Sequence, residues 1–470
     1  MKDKKISFVL VFFSALFLLL IVYLTSIEIL YRDEYSSSNL NSRSLIKESS
    51  VMRGTIYDRE GEILAYSKID GDVQKRYYPH IELYSHVIGY SSKTYGKSFL
   101  EKTYNSALLG DDGISAVFNI KNILKGEMSQ GNNLHLTIDH PTQKRASSLM
   151  SRYRGAAVAL NPATGEIIAM VSKPHFNPNE TYLTRSWSSL NANENSPFLN
   201  RATMGLYPPG STFKTVIAAT AFQKGLTGFI AEDADGTFTV DGYTIANTKN
   251  ASYGETDMEK GFIKSSNVYF AQLGASFTDG DFERLGNSFM FNKKIPFKFP
   301  TAVSKFQTSK MSEAERAATS IGQGKTLISP LHLAMITGSI ANGGVMMKPY
   351  IVSKLTSPGG TTLESVNPSS LGSVISKDAA DYVKGLMVTT VEKGTGTNAR
   401  IWGIDVGGKT GTAENEKTDK DKEKTHAMFV AFAPAEDPQI AVAVVLEYAG
   451  STGGSIAAPI AREIIRTYLD

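Results

Sequence analysis

No cysteine occurs among the 470 residues, which excludes disulfides, thiol nucleophiles and Cys-ligated zinc or iron–sulfur centres. Neither sign of charge dominates: 49 Lys and Arg stand against 46 Asp and Glu, a formal net charge of +3. No long Lys/Arg tract appears either, so a nucleic-acid partner is not expected. The seven histidines, His80, His86, His135, His140, His175, His332 and His426, show no HExxH or other metal-ligand spacing. Structural histidines are expected, with no metal and no other cofactor. No repeat of fixed period is visible. The chain is too long for one ordinary core, so two or three units are expected.

A long hydrophobic run is present at the N-terminus. Ile6 to Ile27 contains no charged residue, and roughly 20 such residues in helix span the ~30 Å hydrocarbon layer. Lys2, Lys4 and Lys5 precede it, which predicts a cytoplasmic N-terminus and an exported remainder. A cleaved signal peptide is the competing reading. Its apolar core is usually shorter and ends in an A-x-A-like site, whereas this run continues through Leu24-Thr25-Ser26-Ile27-Glu28. A single-pass anchor is expected, with residues 1–5 as a cytoplasmic tail and 6–27 in the membrane.

Residues 28–50 are polar and rich in Ser and Asn, reading as a stalk. From Arg53 to Ala65, apolar segments flank Asp58-Arg59-Glu60-Gly61, the pattern of a short hairpin. Residues 70–130 suggest a small α+β module, Leu134–Asp139 alternates like a strand, and Gln143–Tyr153 reads as a helix. Two buried strands are expected at Ala157–Leu160 and Ile167–Val171, joined by a tight turn. Two more are expected at His426–Ala433 and Ile440–Leu446, before a helix over Ile456–Leu469. This order argues for a sheet covered by helices.

Three short motifs carry chemistry. In Tyr207-Pro208-Pro209-Gly210-Ser211-Thr212-Phe213-Lys214 the Pro-Pro-Gly forbids a helix, and apolar residues at helical spacing follow to Gln223. Ser211 therefore falls near a helix N-terminus, with Lys214 on the same face. A serine hydroxyl needs a neighbour to remove its proton, and a lysine can do so only when neutral, which desolvation and nearby cations promote. Alone, the pair more often means a capped helix with a surface lysine. Ser265-Ser266-Asn267 offers a hydroxyl to relay a proton and an amide to hold a substrate; by itself it reads as a polar loop or N-cap.

Gly408-Lys409-Thr410-Gly411-Thr412 is the third. Glycine within a strand would let an extended peptide approach, and the Lys and Thr side chains would meet a carboxylate. Gly403 to Thr410 also satisfies the nucleotide-binding P-loop pattern. That pattern requires a following helix, and a charged stretch follows instead.

Ser-x-x-Lys, Ser-x-Asn and Lys-Thr-Gly in this order, across about 200 residues, resemble the set of penicillin-binding proteins and class A β-lactamases. Tyr207 to Lys214, Gly322-Gln323-Gly324 with Ser329-Pro330-Leu331, and Lys409 to Glu414 are similar to class B penicillin-binding proteins. Arg53 to Ala65 and Leu100-Glu101-Lys102-Thr103-Tyr104-Asn105 look like motifs of that class's N-terminal module. The resemblance implies an α+β transpeptidase fold, an antiparallel sheet sandwiched by helices with a helical subdomain, at 141–470. A non-catalytic pedestal at 28–140 would carry it. It implies Ser211 as nucleophile, Lys214 as base, and Ser265 and Lys409 as the proton path to the departing D-alanine. Asn267, Thr410, Gly411 and Thr412 would bind substrate, and the Ser211 and Thr412 N–H groups would form the oxyanion hole. The implied partners are peptidoglycan stem peptides, β-lactams and a membrane glycosyltransferase of the shape-elongation-division-sporulation family, because 28–140 is too short for a glycosyltransferase domain. A D,D-carboxypeptidase side activity is compatible with the same site.

The pedestal is short for the class, and Lys417 to Lys424 forms a charged loop after the Lys-Thr-Gly strand, read as solvated rather than as a lid. A β-lactam hydrolase would need a group to activate water, and Glu283-Arg284-Leu285-Gly286-Asn287 is a poor match for that element. A sensor would need a signalling module before the anchor, where five residues stand. A catalytically silent wall-binding scaffold is the remaining alternative, against which the intact motifs argue.

Overall fold

A computed structural model describes residues 2–30, 51–71, 73–111, 128–414 and 424–470. Most of the expected stalk, part of the 70–130 module and the charged run before Lys424 lie outside the described residues. The elements used below, in chain order, begin with helix α1 (Lys2–Leu30). The N-terminal module supplies β1 (Ile56–Tyr57), β2 (Ile63–Asp70), β3 (Val73–Tyr77) and β4 (Asn133–Leu136). Helix α2 (His140–Leu149) leads to β5 (Arg154–Leu160) and β6 (Ile167–Lys173). Then follow α3 (Lys214–Gln223), β7 (Thr237–Val240), β8 (Tyr243–Ala246), α4 (Met258–Ile263), α5 (Asn267–Ala275) and α6 (Pro330–Ala341). The chain ends with β9 (Val352–Thr356), β10 (Thr362–Ser365), α7 (Lys377–Lys393), β11 (Gly407–Ala413), β12 (His426–Ala433), β13 (Ile440–Glu447) and α8 (Ala458–Leu469).

Helix α1 contains a 24-residue apolar stretch, Lys4–Ile27, with no part of its best window buried against the protein. At 1.5 Å per residue that is about 36 Å, enough to cross a bilayer. The Arg53–Ala65 hairpin forms as β1 and β2, and the Asp58 carboxylate accepts from the N–H groups of Glu60 and Glu62 to set its turn. Helix α2 starts three residues earlier than its apolar pattern suggested and stops at Leu149. Asp139 caps it by accepting from Thr142 N, and Pro141 sits in the first turn, where its missing N–H costs nothing. At the other end of the chain, a π turn at Gly453–Ala457 precedes α8, so the last helix begins later than Ile456.

The larger C-terminal sheet is five-stranded and antiparallel, in the order β6-β5-β13-β12-β11. Its side chains alternate between two cores: Val158, Met428, Val430 and Ala443 belong to one, Ala157, Phe429, Ala431 and Val444 to the other. Helix α6 covers the first face, and α2 with α8 the second. Both faces are buried, which is why these strands read as continuous apolar runs. Each fully buried Val or Leu contributes about 1.5–3 kcal/mol. Strand β11 lies at the edge, leaving one side of its backbone unpaired by the sheet.

A second, six-stranded sheet has the order β10-β9-β4-β1-β2-β3. Strand β4 pairs in parallel with β1 and antiparallel with β9. Two strands from deep in the C-terminal half therefore complete the N-terminal module's sheet. At the same junction, the Arg59 guanidinium reaches Glu166 at 3.2 Å and the Tyr468 hydroxyl at 3.2 Å.

Candidate active site

Residues Gly210–Phe213 form a 3-10 turn that runs directly into α3. Ser211 thus sits among the first N–H groups of a helix, which lack intrahelical partners. Backbone bonds between Tyr207 and Ile328 in both directions, and from Gly210 N to Gly322 O at 2.9 Å, hold the lead-in. Two close approaches then bring β11 against this turn. Gly210 has φ +52°, and a Cβ there would lie 2.6 Å from the Thr412 carbonyl oxygen. A Cβ at Gly411 would lie 2.8 Å from Thr212 Cγ2. Gly411 was expected among the substrate contacts. Its lack of a side chain lets β11 pack against the Ser211 turn. Gly408 serves packing too, since a Cβ there would fall 2.6 Å from the Phe429 ring.

The Ser265-Ser266-Asn267 segment connects α4 to α5. Ser266 is the N-cap of α5 and accepts from Tyr269 N. Ser265 adopts φ +57°, a left-handed conformation costly for a residue with a Cβ. This places Ser265 Oγ 2.8 Å from Lys409 Nζ and 3.5 Å from Lys214 Nζ. Lys214 Nζ also donates to Ser265 O and Asn267 Oδ1, each at 2.8 Å. Both lysines are fully buried, and no carboxylate bonds to either among the described residues. Burial, then the charge of Lys409, holds Lys214 well below the ordinary lysine pKa. Burial alone brings Lys409 down to about 7. Two adjacent buried ammonium groups without a counter-ion repel strongly at low dielectric, so the site favours a neutral amine.

These lysines lie beneath the floor of a groove of about 970 Å³, whose walls include Ser211, Ser265, Asn267, Thr410 and Thr412. Lys409 therefore meets Ser265 rather than a ligand carboxylate. It also occupies the interior of strand β11, at the point where a P-loop would start its helix, which removes the P-loop reading. Asn267 is already engaged: its Oδ1 accepts from Lys214, and its Nδ2 donates to Ala246 O. Lys214 makes no hydrogen bond to Ser211 in this arrangement, although the i, i+3 spacing predicted them on one face.

Among the groove residues outside the motifs are Thr395, Asn398 and Asn247. Thr395 shares a hydroxyl hydrogen bond of 2.8 Å with Thr410. Asn398 anchors the far wall through Gly454 O. Asn247, between β8 and a short 3-10 turn, is bonded to the Ser-x-Asn segment. No local pattern marks any of the three; they arrive by tertiary contact.

The family models match this layout. Residues 155–466 match the penicillin binding protein transpeptidase domain, and 53–134 match the penicillin binding protein A dimerisation domain. The chain belongs to the penicillin-binding protein transpeptidases. Within that family it is similar to the peptidoglycan D,D-transpeptidase PbpA of Mycolicibacterium smegmatis, with 33% identity covering 97% of this chain and 96% of that protein. It is also similar to the MrdA transpeptidase of Acinetobacter baumannii, with 32% identity over 84% of this chain and 66% of that one. Among solved structures, penicillin-binding protein A of M. tuberculosis as a ceftriaxone acyl-enzyme superposes with a TM-score of 0.85. The identity there is 31%, covering 90% of this chain and all of that one.

Proposed function

We infer that this chain is a peptidoglycan D,D-transpeptidase that works through a Ser211 acyl-enzyme and is acylated by β-lactams at the same serine. The observation that carries the roles of individual residues is Ser265 Oγ lying between two buried lysines to which no carboxylate bonds among the described residues. Neutral Lys214 takes the Ser211 proton as Oγ attacks the D-Ala-D-Ala carbonyl. The C–N bond then breaks as that proton passes from Lys214 by way of Ser265, beside Lys409, to the departing D-alanine amine, leaving Lys214 neutral again. An acceptor stem-peptide amine attacks the ester, its proton passes to Lys214, and Lys214 returns it to the Ser211 oxygen as the acyl C–O bond breaks.

The oxyanion hole is supported by the edge geometry of β11. In an antiparallel strand a residue's C=O and N–H point to the same side. The Thr412 carbonyl faces Gly210, so the Thr412 N–H faces the Ser211 turn as well. Donors so placed are each worth about 3 kcal/mol of transition-state stabilisation. Thr410, Thr412 and the groove-lining cations Lys249 and Lys264 suit the substrate carboxylate. Residues 28–140 serve as pedestal and 141–470 as the transpeptidase unit. The α1 anchor keeps its N-terminus cytoplasmic, and a membrane glycosyltransferase of the shape-elongation-division-sporulation family supplies the glycan.

Labelling the full-length protein with a fluorescent penicillin tests this reading. Wild type acquires a lasting label and Ser211→Ala none; a labelled Ser211→Ala variant would end the assignment. A hydrolase would instead shed the label rapidly. The expected slow release agrees with Glu283 lying exposed and outside the groove.

A further inference from the structure

Asn247 has no place in the three motifs, yet every hydrogen-bonding position of its side chain is used. It is 3% exposed. Its Oδ1 accepts from Asn267 N at 2.7 Å, Val268 N at 3.1 Å and Ser266 Oγ at 3.1 Å. These donors open α5. Its Nδ2 donates to Asp233 Oδ2 at 2.7 Å and Ala251 O at 2.9 Å. Two of the donors on Oδ1 are backbone N–H groups, which fixes the orientation of the amide. Asp233, 1% exposed, also accepts from Gly236 N and Tyr253 N. A buried carboxylate thus orients an amide that in turn caps the helix carrying Asn267.

The same amide bears on the proton path. Ser265 is held at φ +57° from one side by bonds to α4, Ser265 N to Phe262 O and Ser266 N to Gly261 O. From the other side it is held by Asn247 through Ser266 and Asn267. Strained conformations persist only where the surroundings over-determine them. The neighbouring carbonyl of Ala246 completes the arrangement by accepting from Asn267 Nδ2 at 2.8 Å. Hairpin β7–β8 therefore sets where Ser265 Oγ and Asn267 Oδ1 stand relative to the lysines.

We propose that Asn247, oriented by Asp233, is a positioning residue for acylation: it holds the Ser265–Asn267 loop against Lys214 and Lys409. The proposal rests on the Ser211 acyl-enzyme reading. Removing the amide frees the loop to relax by a fraction of an ångström to about 1 Å, a displacement able to cost roughly 10²-fold in rate. The loss falls on the first-order acylation constant rather than on the non-covalent affinity for the penicillin.

The test measures acylation of full-length protein by fluorescent penicillin in detergent, for wild type, Asn247→Leu, Asn247→Asp, Asp233→Asn and the double swap Asn247→Asp/Asp233→Asn. Ser211→Ala is the control: if it labels, the acyl-enzyme reading falls, whatever Asn247 does. Given an unlabelled control, Asn247→Leu is expected to acylate about 10²-fold more slowly, with Ser211 still the labelled residue. Asn247→Asp, which sets two carboxylates face to face, is expected to lose at least as much. The double swap, which restores an acid–amide pair with the roles exchanged, is expected to regain at least tenfold over Asn247→Asp. A folded Asn247→Leu acylating within twofold of wild type would overturn the proposal. If that variant does not fold, an absence of recovery in a folded double swap would overturn it as well.

Discussion

Two buried charge clusters, one in each half of the molecule, are built on opposite principles. In the N-terminal module Glu101 is fully buried between Arg53 and Arg76, at 2.6 and 2.7 Å, with the Tyr78 hydroxyl at 3.2 Å. Arg53 is further used by Asn105 and by the Glu101 carbonyl. In the transpeptidase half, Lys214 and Lys409 are equally buried and share hydroxyl, amide and carbonyl acceptors, with no anion among the described residues. The first cluster compensates its charges and ties Arg53 of the opening motif to the Leu100–Asn105 motif. The second has no counter-charge among the described residues, and that deficit favours a neutral amine. Burial stabilises neither cluster by itself; what differs is whether a counter-charge comes with it.

The contrast breaks most sharply under single substitutions. Glu101→Gln leaves two buried guanidinium groups without their anion and is expected to cost about 3–5 kcal/mol of stability, read as a large fall in Tm. Penicillin acylation of the remaining folded protein should be near normal. Lys214→Met should do the reverse, lowering the acylation rate by about 10²–10⁴-fold with Tm unchanged or raised, because a costly buried amine is gone. A large Tm loss in Lys214→Met would show that the two clusters are alike.

Stability against pH should separate them next. Burial alone would raise the Glu101 pKa, but Arg53 and Arg76 outweigh it and hold the carboxyl at about 2. A depressed acid contributes stability above its unfolded pKa of about 4.3 that is lost as pH falls through the folded value. Lys409, at about 7 in the fold and about 10.4 unfolded, binds fewer protons when folded across that interval. Its contribution therefore makes stability rise as pH rises from about 7 towards 10. Thermal melts of Glu101→Gln should flatten the acid limb, and melts of Lys409→Met the alkaline limb. The smallest effect is expected at the junction between the halves. Arg59→Ala removes a partly exposed pair with Glu166 and should cost no more than about 1 kcal/mol, with acylation unchanged.

Much of the site was legible because its chemistry is encoded in short local patterns. Pro208, Pro209 and Gly210 stop any helix and start one at Ser211. Ser265-Ser266-Asn267 falls between two helices, and Lys409 lies on an apolar strand. What the patterns left out was the packing around each residue. Gly411 and Gly408 also serve packing, since an added Cβ would meet Thr212 at one and Phe429 at the other. Asn267 looks free, yet Ala246 and Lys214 already hold it. The sheet of the N-terminal module borrows Val352–Thr356 and Thr362–Ser365, a pairing across more than 200 residues that no local signal announces.

By itself, the sequence determined the apolar N-terminal segment, the buried strands, the helix starts and the three motifs, because hydrophobic periodicity, proline and glycine geometry and capping act over a few residues. Only the tertiary structure decided that Lys214 and Lys409 lose their water together, that Ser265 stands between them, and that Asn247 holds the loop in place. Desolvation and like-charge repulsion depend on what surrounds a group in space, and those neighbours are contributed by segments as far apart as 214, 265 and 409.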